Sequence, residues 1–175
     1  LPEAFRKASV NTSGMWRKAV LSFPMFDLAG DYVEVSGLNF SPHRTSDWSI
    51  DLEHGRTPDV RGMPVAWARE SLSQPGAPYA VEYVPLNIAA DGAPPDVHDL
   101  PVGTSYFDKS CRVSSQVFAL VEQDILPAVS LEFRAVPGFA KSLGRSPLEP
   151  RDAYRFDRAD VIRWVEQCAA TQPSL

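Results

Sequence analysis

The chain has 175 residues, 44% hydrophobic and 22% charged, enough apolar material for one globular domain with a real core, which excludes a disordered or fibrous chain. A net charge of -5, a pI near 5.2 and the lack of any basic block exclude the clustered lysine and arginine that phosphate-tracking nucleic-acid binding needs. No apolar run approaches the roughly 20 residues of a membrane-spanning helix, so neither nucleic acid nor membrane is an expected partner.

Sixteen prolines and ten glycines punctuate the chain too often for a helical bundle and favour a β-rich domain with several turns. The N-terminus, Leu1-Pro2-Glu3-Ala4, has no signal-peptide pattern and no methionine, which leads us to expect a trimmed or processed chain. Residues 1–16 are polar and mixed, and are expected to form a loose arm or short helix. Strands are expected over Ala19–Phe23 and over Asp31–Ser36, with Leu28-Ala29-Gly30-Asp31 as the turn between them. A polar loop from Asn39 to Ser46 carries His43.

In Asp47–His54, Trp48, Ile50, Leu52 and His54 share one face, and Gly55 ends the strand. A histidine so placed is either a half-buried group satisfied by a carbonyl or an imidazole in a dry site, able to take a proton near neutral pH. Met63–Glu70 is another expected strand, and Tyr79–Leu86 a further one. The stretch 73–100 is expected to be a loop insertion, with Asp91-Gly92-Ala93-Pro94-Pro95-Asp96 at its centre and His98 on the surface.

Pro101–Phe107 returns to the sheet. Asp108 or Ser110 is placed to cap a helix over roughly Arg112–Asp124, whose stripe of Val113, Val117, Phe118, Leu120 and Val121 packs on that sheet. Ile125-Leu126-Pro127 then turns the chain into a central buried strand where Val129, Leu131 and Phe133 alternate with Ser130, Glu132 and Arg134. Residues 137–150, rich in proline, glycine, serine and basic residues, are expected to be a mobile loop. Ala153–Phe156 is short, and Val161–Cys168 fits helix or strand, with its β-branched residues favouring strand. The cysteines, Cys111 and Cys168, are far apart and lack metal-site spacing, so reduced thiols of a cytosolic protein are expected, with a disulfide as the lesser alternative.

Three blocks together carry a resemblance: Pro101-Val102-Gly103-Thr104-Ser105-Tyr106-Phe107, then Ser115-Gln116-Val117-Phe118-Ala119-Leu120-Val121, then Ile125-Leu126-Pro127-Ala128-Val129-Ser130-Leu131-Glu132-Phe133. They resemble the prohead (capsid maturation) serine proteases of tailed phages, relatives of the herpesvirus assemblins. Leu52-Glu53-His54-Gly55 is similar to the histidine-before-turn of that family. Trp164-Val165-Glu166-Gln167-Cys168 is similar to its terminal acidic strand. Glu132 departs from the pattern, where relatives more often carry glycine.

The resemblance implies a β-rich mixed α/β fold, a small closed or partly open β-barrel of about six to seven strands with flanking helices. It implies catalysis by Ser130 as nucleophile, His54 as base and Glu166 as third group, with Glu132 in reserve. Its substrates would be major capsid protein and scaffold segments inside the procapsid, in the host cytoplasm, with self-cleavage and possible homodimerisation. No cofactor and no metal are expected: there is no HExxH, no cysteine pair, no P-loop and no dinucleotide fingerprint. Ser130 also lacks the G-x-S-x-G elbow of α/β-hydrolases. The oxyanion donors are expected from the Arg134–Arg145 segment. Two other readings stay open, a non-catalytic β-barrel module of the virion and a hydrolase of small esters.

Overall fold

The computed structural model describes residues 14–40, 48–52, 66–68, 81–123 and 128–167. They form a β-rich mixed α/β domain whose strands are β1 (Gly14–Val20), β2 (Tyr32–Val33), β3 (Leu38–Asn39), β4 (Trp48–Leu52), β5 (Ala66–Ala68), β6 (Val81–Ile88), β7 (Asp96–Asp108), β8 (Ala128–Ala135), β9 (Ala140–Arg145), β10 (Asp152–Phe156) and β11 (Ala159–Gln167). The α-helix among the described residues is α1 (Arg112–Glu122).

Two long strands organise the sheets. β7 pairs with β1 along one edge and with β6 and then β5 along the other, all antiparallel. β11 pairs antiparallel with β8 on one edge and parallel with β3 and β4 on the other. The antiparallel β4–β5 ladder joins the two systems, giving the path β8–β11–β4–β5–β7–β1. Its two end strands, β1 and β8, lie against each other, yet no ladder joins them among the described residues. Among the described residues the expected barrel is therefore not closed, and β8, paired there with β11, lies at an end of the strand path rather than at its centre. A separate three-stranded sheet runs β2–β10–β9.

Apolar periodicity explains most of these elements. The α1 stripe Val113, Val117, Phe118, Leu120 and Val121 packs on the main core, as its spacing predicts, and Phe118 meets Phe107 of β7 with ring centroids 5.1 Å apart. The cap differs from expectation. Cys111 is the N-cap residue with no side-chain cap bond, and the Asp108 carboxylate instead accepts from the Ser110 amide and hydroxyl. The helix is anchored by Ser114, whose hydroxyl accepts the Asp108 amide at 2.9 Å.

The main core gathers Leu21, Leu38, Phe40, Phe107, Val117, Val161 and Trp164, with Val129, Leu131 and Phe133 of β8 packed against it. Burying one such side chain stabilises by about 1.5–3 kcal/mol. A second cluster of Val35, Ile88 and Leu100 lies under the β6–β7 hairpin. In β11 the register shifts between Val161 and Arg163, so strict alternation fails. The shift lets both Val161 and Trp164 bury, opposite Phe133 and Leu131, while Val165 is buried opposite Ser130.

Several expectations need correction. β1 starts at Gly14, inside the expected arm, and stops at Val20, before Leu21–Phe23. The expected strand at Asp31–Ser36 shrinks to Tyr32–Val33, followed by a 3-10 turn at Val35–Gly37. That turn needs glycine, because a Cβ on Gly37 would overlap the backbone carbonyl of Asp157. The expected insertion at 73–100 is mostly an antiparallel hairpin, β6 and the start of β7, turning at Asp91-Gly92 with φ of 47° and 78°. The expected loop at 137–150 contains β9, paired with β10. Residues 1–13 and the Ser73–Pro78 turn lie outside the described residues.

Candidate active site

Ser130 sits in β8 between Val129 and Leu131, opposite Val165 of β11, and is 8% exposed. It opens onto a pocket of about 130 Å³ lined by Leu21, Ser22, Asp27, Val33, Val129, Ser130, Leu131 and Phe133. The pocket thus lies between β8 and the segment that leaves β1, at the unjoined ends of the strand path. Its lining mixes apolar residues with three polar ones, Ser22, Asp27 and Ser130.

The segment behind β1 is held by contacts distant in sequence. The Leu21 amide donates to the Pro101 carbonyl at 2.8 Å. Leu21 fits there because Gly103 has no side chain: a Cβ on Gly103 would come within 2.8 Å of a Leu21 methyl. Asp27 starts a tight loop in which its Oδ1 accepts the Asp31 amide at 2.9 Å, its amide donates to the Asp31 carbonyl, and Gly30 takes φ of 83°. Asp31 is in turn clamped by Arg151, Nη1 to Oδ1 at 3.1 Å and Nη2 to Oδ2 at 2.7 Å, and accepts the Tyr154 amide at 2.8 Å. The Ser146 hydroxyl donates to the Ala29 carbonyl at 2.7 Å. The β9–β10 unit therefore sets the position of Asp27. Burial pushes the Asp27 carboxyl above the usual carboxylate range, an effect reinforced by the Asp31 charge and opposed by backbone hydrogen bonds and by Arg151.

Glu166 lies in β11, opposite Val129 of β8 and opposite Leu52 of β4. One position of β11 therefore adjoins both the Ser130 strand and the end of the strand leading to His54. His54 itself, with His43 and Cys168, lies outside the described residues. Glu132 is engaged elsewhere, its Oε2 3.3 Å from the Arg163 Nε. His98 lies in β7, opposite Leu86 and on the separate β6 hairpin. Cys111 is a free thiol.

In the Arg134–Arg145 segment, from which oxyanion donors are expected, several amides already have partners. The Val136 amide donates to the Arg158 carbonyl and the Phe139 amide to the Val136 carbonyl, while β9 pairs along one edge with β10. Among the described residues, no group of three or more His, Cys, Asp or Glu side chains is placed to hold a metal ion, and no helix is long and apolar enough to cross a membrane. Sequence reasoning missed Leu21, Ser22, Asp27 and Val33 as neighbours of Ser130. The turn signal at Leu28–Asp31 was the only local hint, and it says nothing about which strand the turn faces.

Comparisons with protein-family models, with curated proteins and with solved structures find no match to this chain.

Proposed function

We propose that the protein is a serine endopeptidase of the prohead-maturation type, cutting capsid and scaffold segments, and itself, within the procapsid. The observation that carries this reading is Ser130, a serine of β8 at an end of the described strand path, lining a pocket of mixed apolar and polar residues. An extended peptide bound beside β8 can use backbone hydrogen bonds for affinity and side-chain pockets for selectivity. The strand path β8–β11–β4–β5–β7–β1 corresponds, on this reading, to a partly open barrel with its seam between β1 and β8.

In the proposed reaction the Ser130 Oγ attacks the scissile carbonyl carbon while His54 takes the hydroxyl proton. The tetrahedral oxyanion collapses, the C–N bond breaks, and the leaving amine receives that proton from His54. Water, activated by the same imidazole, then hydrolyses the acyl-enzyme. Glu166 holds the imidazole tautomer and stabilises its charged form. Glu166 is assigned because its ladder partner in β4, Leu52, lies two residues before His54 in the chain; its partner in β8 is Val129, so strand alternation sets positions 166 and 130 on opposite faces of the sheet.

A non-catalytic virion module is the second reading, favoured by the near-complete burial of Ser130. Fluorophosphonate labelling followed by peptide mass spectrometry separates the two. A single adduct on Ser130, prevented by His54→Ala, is expected of the protease. A chain that folds yet takes no adduct at any serine supports the module.

A further inference from the structure

We infer that the pocket beside Ser130 receives a lysine or arginine side chain of the substrate, with Asp27 as its counter-charge, directing cleavage to bonds next to a basic residue. The inference rests on Ser130 being the nucleophile.

The pocket combines what such a side chain requires. Leu21, Val33, Val129, Leu131 and Phe133 supply apolar wall for an aliphatic stem, and Asp27 supplies an anion within the same cavity. At about 130 Å³ it has room for one slender chain, which can enter from its open side.

The Asp27 carboxylate also has acceptor capacity to spare. It accepts from the Asp31 and Ala29 amides, whereas an ionised carboxylate offers about four lone-pair sites. The nearby cation, Arg151, is spread across Asp31 and Glu149, at 2.7 Å from each. No salt bridge ties Asp27 to a cation among the described residues. The pocket thus holds a carboxyl whose charged form is disfavoured by burial, and an incoming cation would relieve that cost. The anion is preorganised too, because the Asp27–Asp31 loop is locked by Arg151, Tyr154 and Ser146 before any ligand arrives.

The test is a cleavage series on peptides that differ at one position, lysine against its neutral isostere norleucine, with the wild-type chain, Ser130→Ala and Asp27→Asn. The expected result is Ser130-dependent cleavage with kcat/KM at least about tenfold higher for lysine, and loss of that preference in Asp27→Asn while norleucine peptides are still cut. Ser130-dependent cleavage at equal rates for both peptides would overturn the inference and leave the protease reading standing. Absence of any Ser130-dependent cleavage would overturn both. The wild-type lysine-to-norleucine ratio decides the matter even where Asp27→Asn fails to fold.

Discussion

Glu166 of β11 stands opposite Leu52 of β4 on one side and opposite Val129 of β8 on the other. A single strand position thereby connects the neighbour of Ser130 to the residue two places before His54. Glu166→Gln is expected to lower kcat by about 10²–10⁴ with little change in KM, the loss that follows when a catalytic imidazole is no longer oriented. Glu132→Gln is expected to stay within a few-fold of wild type, since that carboxylate pairs with Arg163 at a partly exposed site. Steady-state kinetics on both variants checks the assignment, and a reversed order would make Glu132 the acid.

Gly103 and Leu21 form a second dependent pair. Adding a methyl at position 103 drives Leu21 into the pocket or pushes β1 off β7, so Gly103→Ala is expected to destabilise by about 1–3 kcal/mol in urea titrations. In a Leu21→Ala background the same substitution is expected to cost far less, because the clashing methyls are gone. Additive costs would show that Gly103 is needed for another reason.

The clamp on the Asp27 loop separates buried from exposed ion pairs. Asp31, 13% exposed, holds both Arg151 and the Tyr154 amide, so Asp31→Ala leaves two donors without their acceptor. A loss of about 1–3 kcal/mol is expected. Glu34→Gln, in a pair with Arg155 that is more than a third exposed on both sides, is expected to cost less than about 1 kcal/mol. Thermal melts of the two variants make the comparison.

Asp27 has a defined pH signature. Its pKa in the folded chain is raised above the ordinary 3.8, so the folded state holds that proton more tightly than the unfolded chain does. The resulting stabilisation is fully present below the ordinary value and is lost as pH rises through the raised one. Asparagine cannot ionise, so the stability of Asp27→Asn relative to wild type is expected to climb across that interval and level off above it. Denaturation at stepped pH measures this difference, and a difference that stays flat would mean burial does not govern Asp27.

What could be read from the sequence follows from where each residue's partners lie. The Ser130 strand and α1 were legible because Val129, Leu131 and Phe133, and the Val113–Val121 stripe, bury on a local period. β9 was not, since all six of its residues are exposed and only its β10 ladder makes it a strand. The start of β7 was hidden in the same way, with Asp96, Val97 and Asp99 exposed. The β11 register shift places Trp164 with Val161 against any simple alternation. Asp27 had no signature at all: what anchors its loop is an Asp31–Arg151 contact spanning 120 residues.

The central claim is that Ser130 cuts peptide bonds. The most direct measurement mixes the protein, and separately its Ser130→Ala variant, with the major capsid protein or scaffold of the same phage and reads the products by mass spectrometry. Defined cuts made by the wild-type chain and lost in a folded Ser130→Ala variant are the predicted result. Cuts that persist in the variant, or none from either folded protein at high concentration, would contradict it.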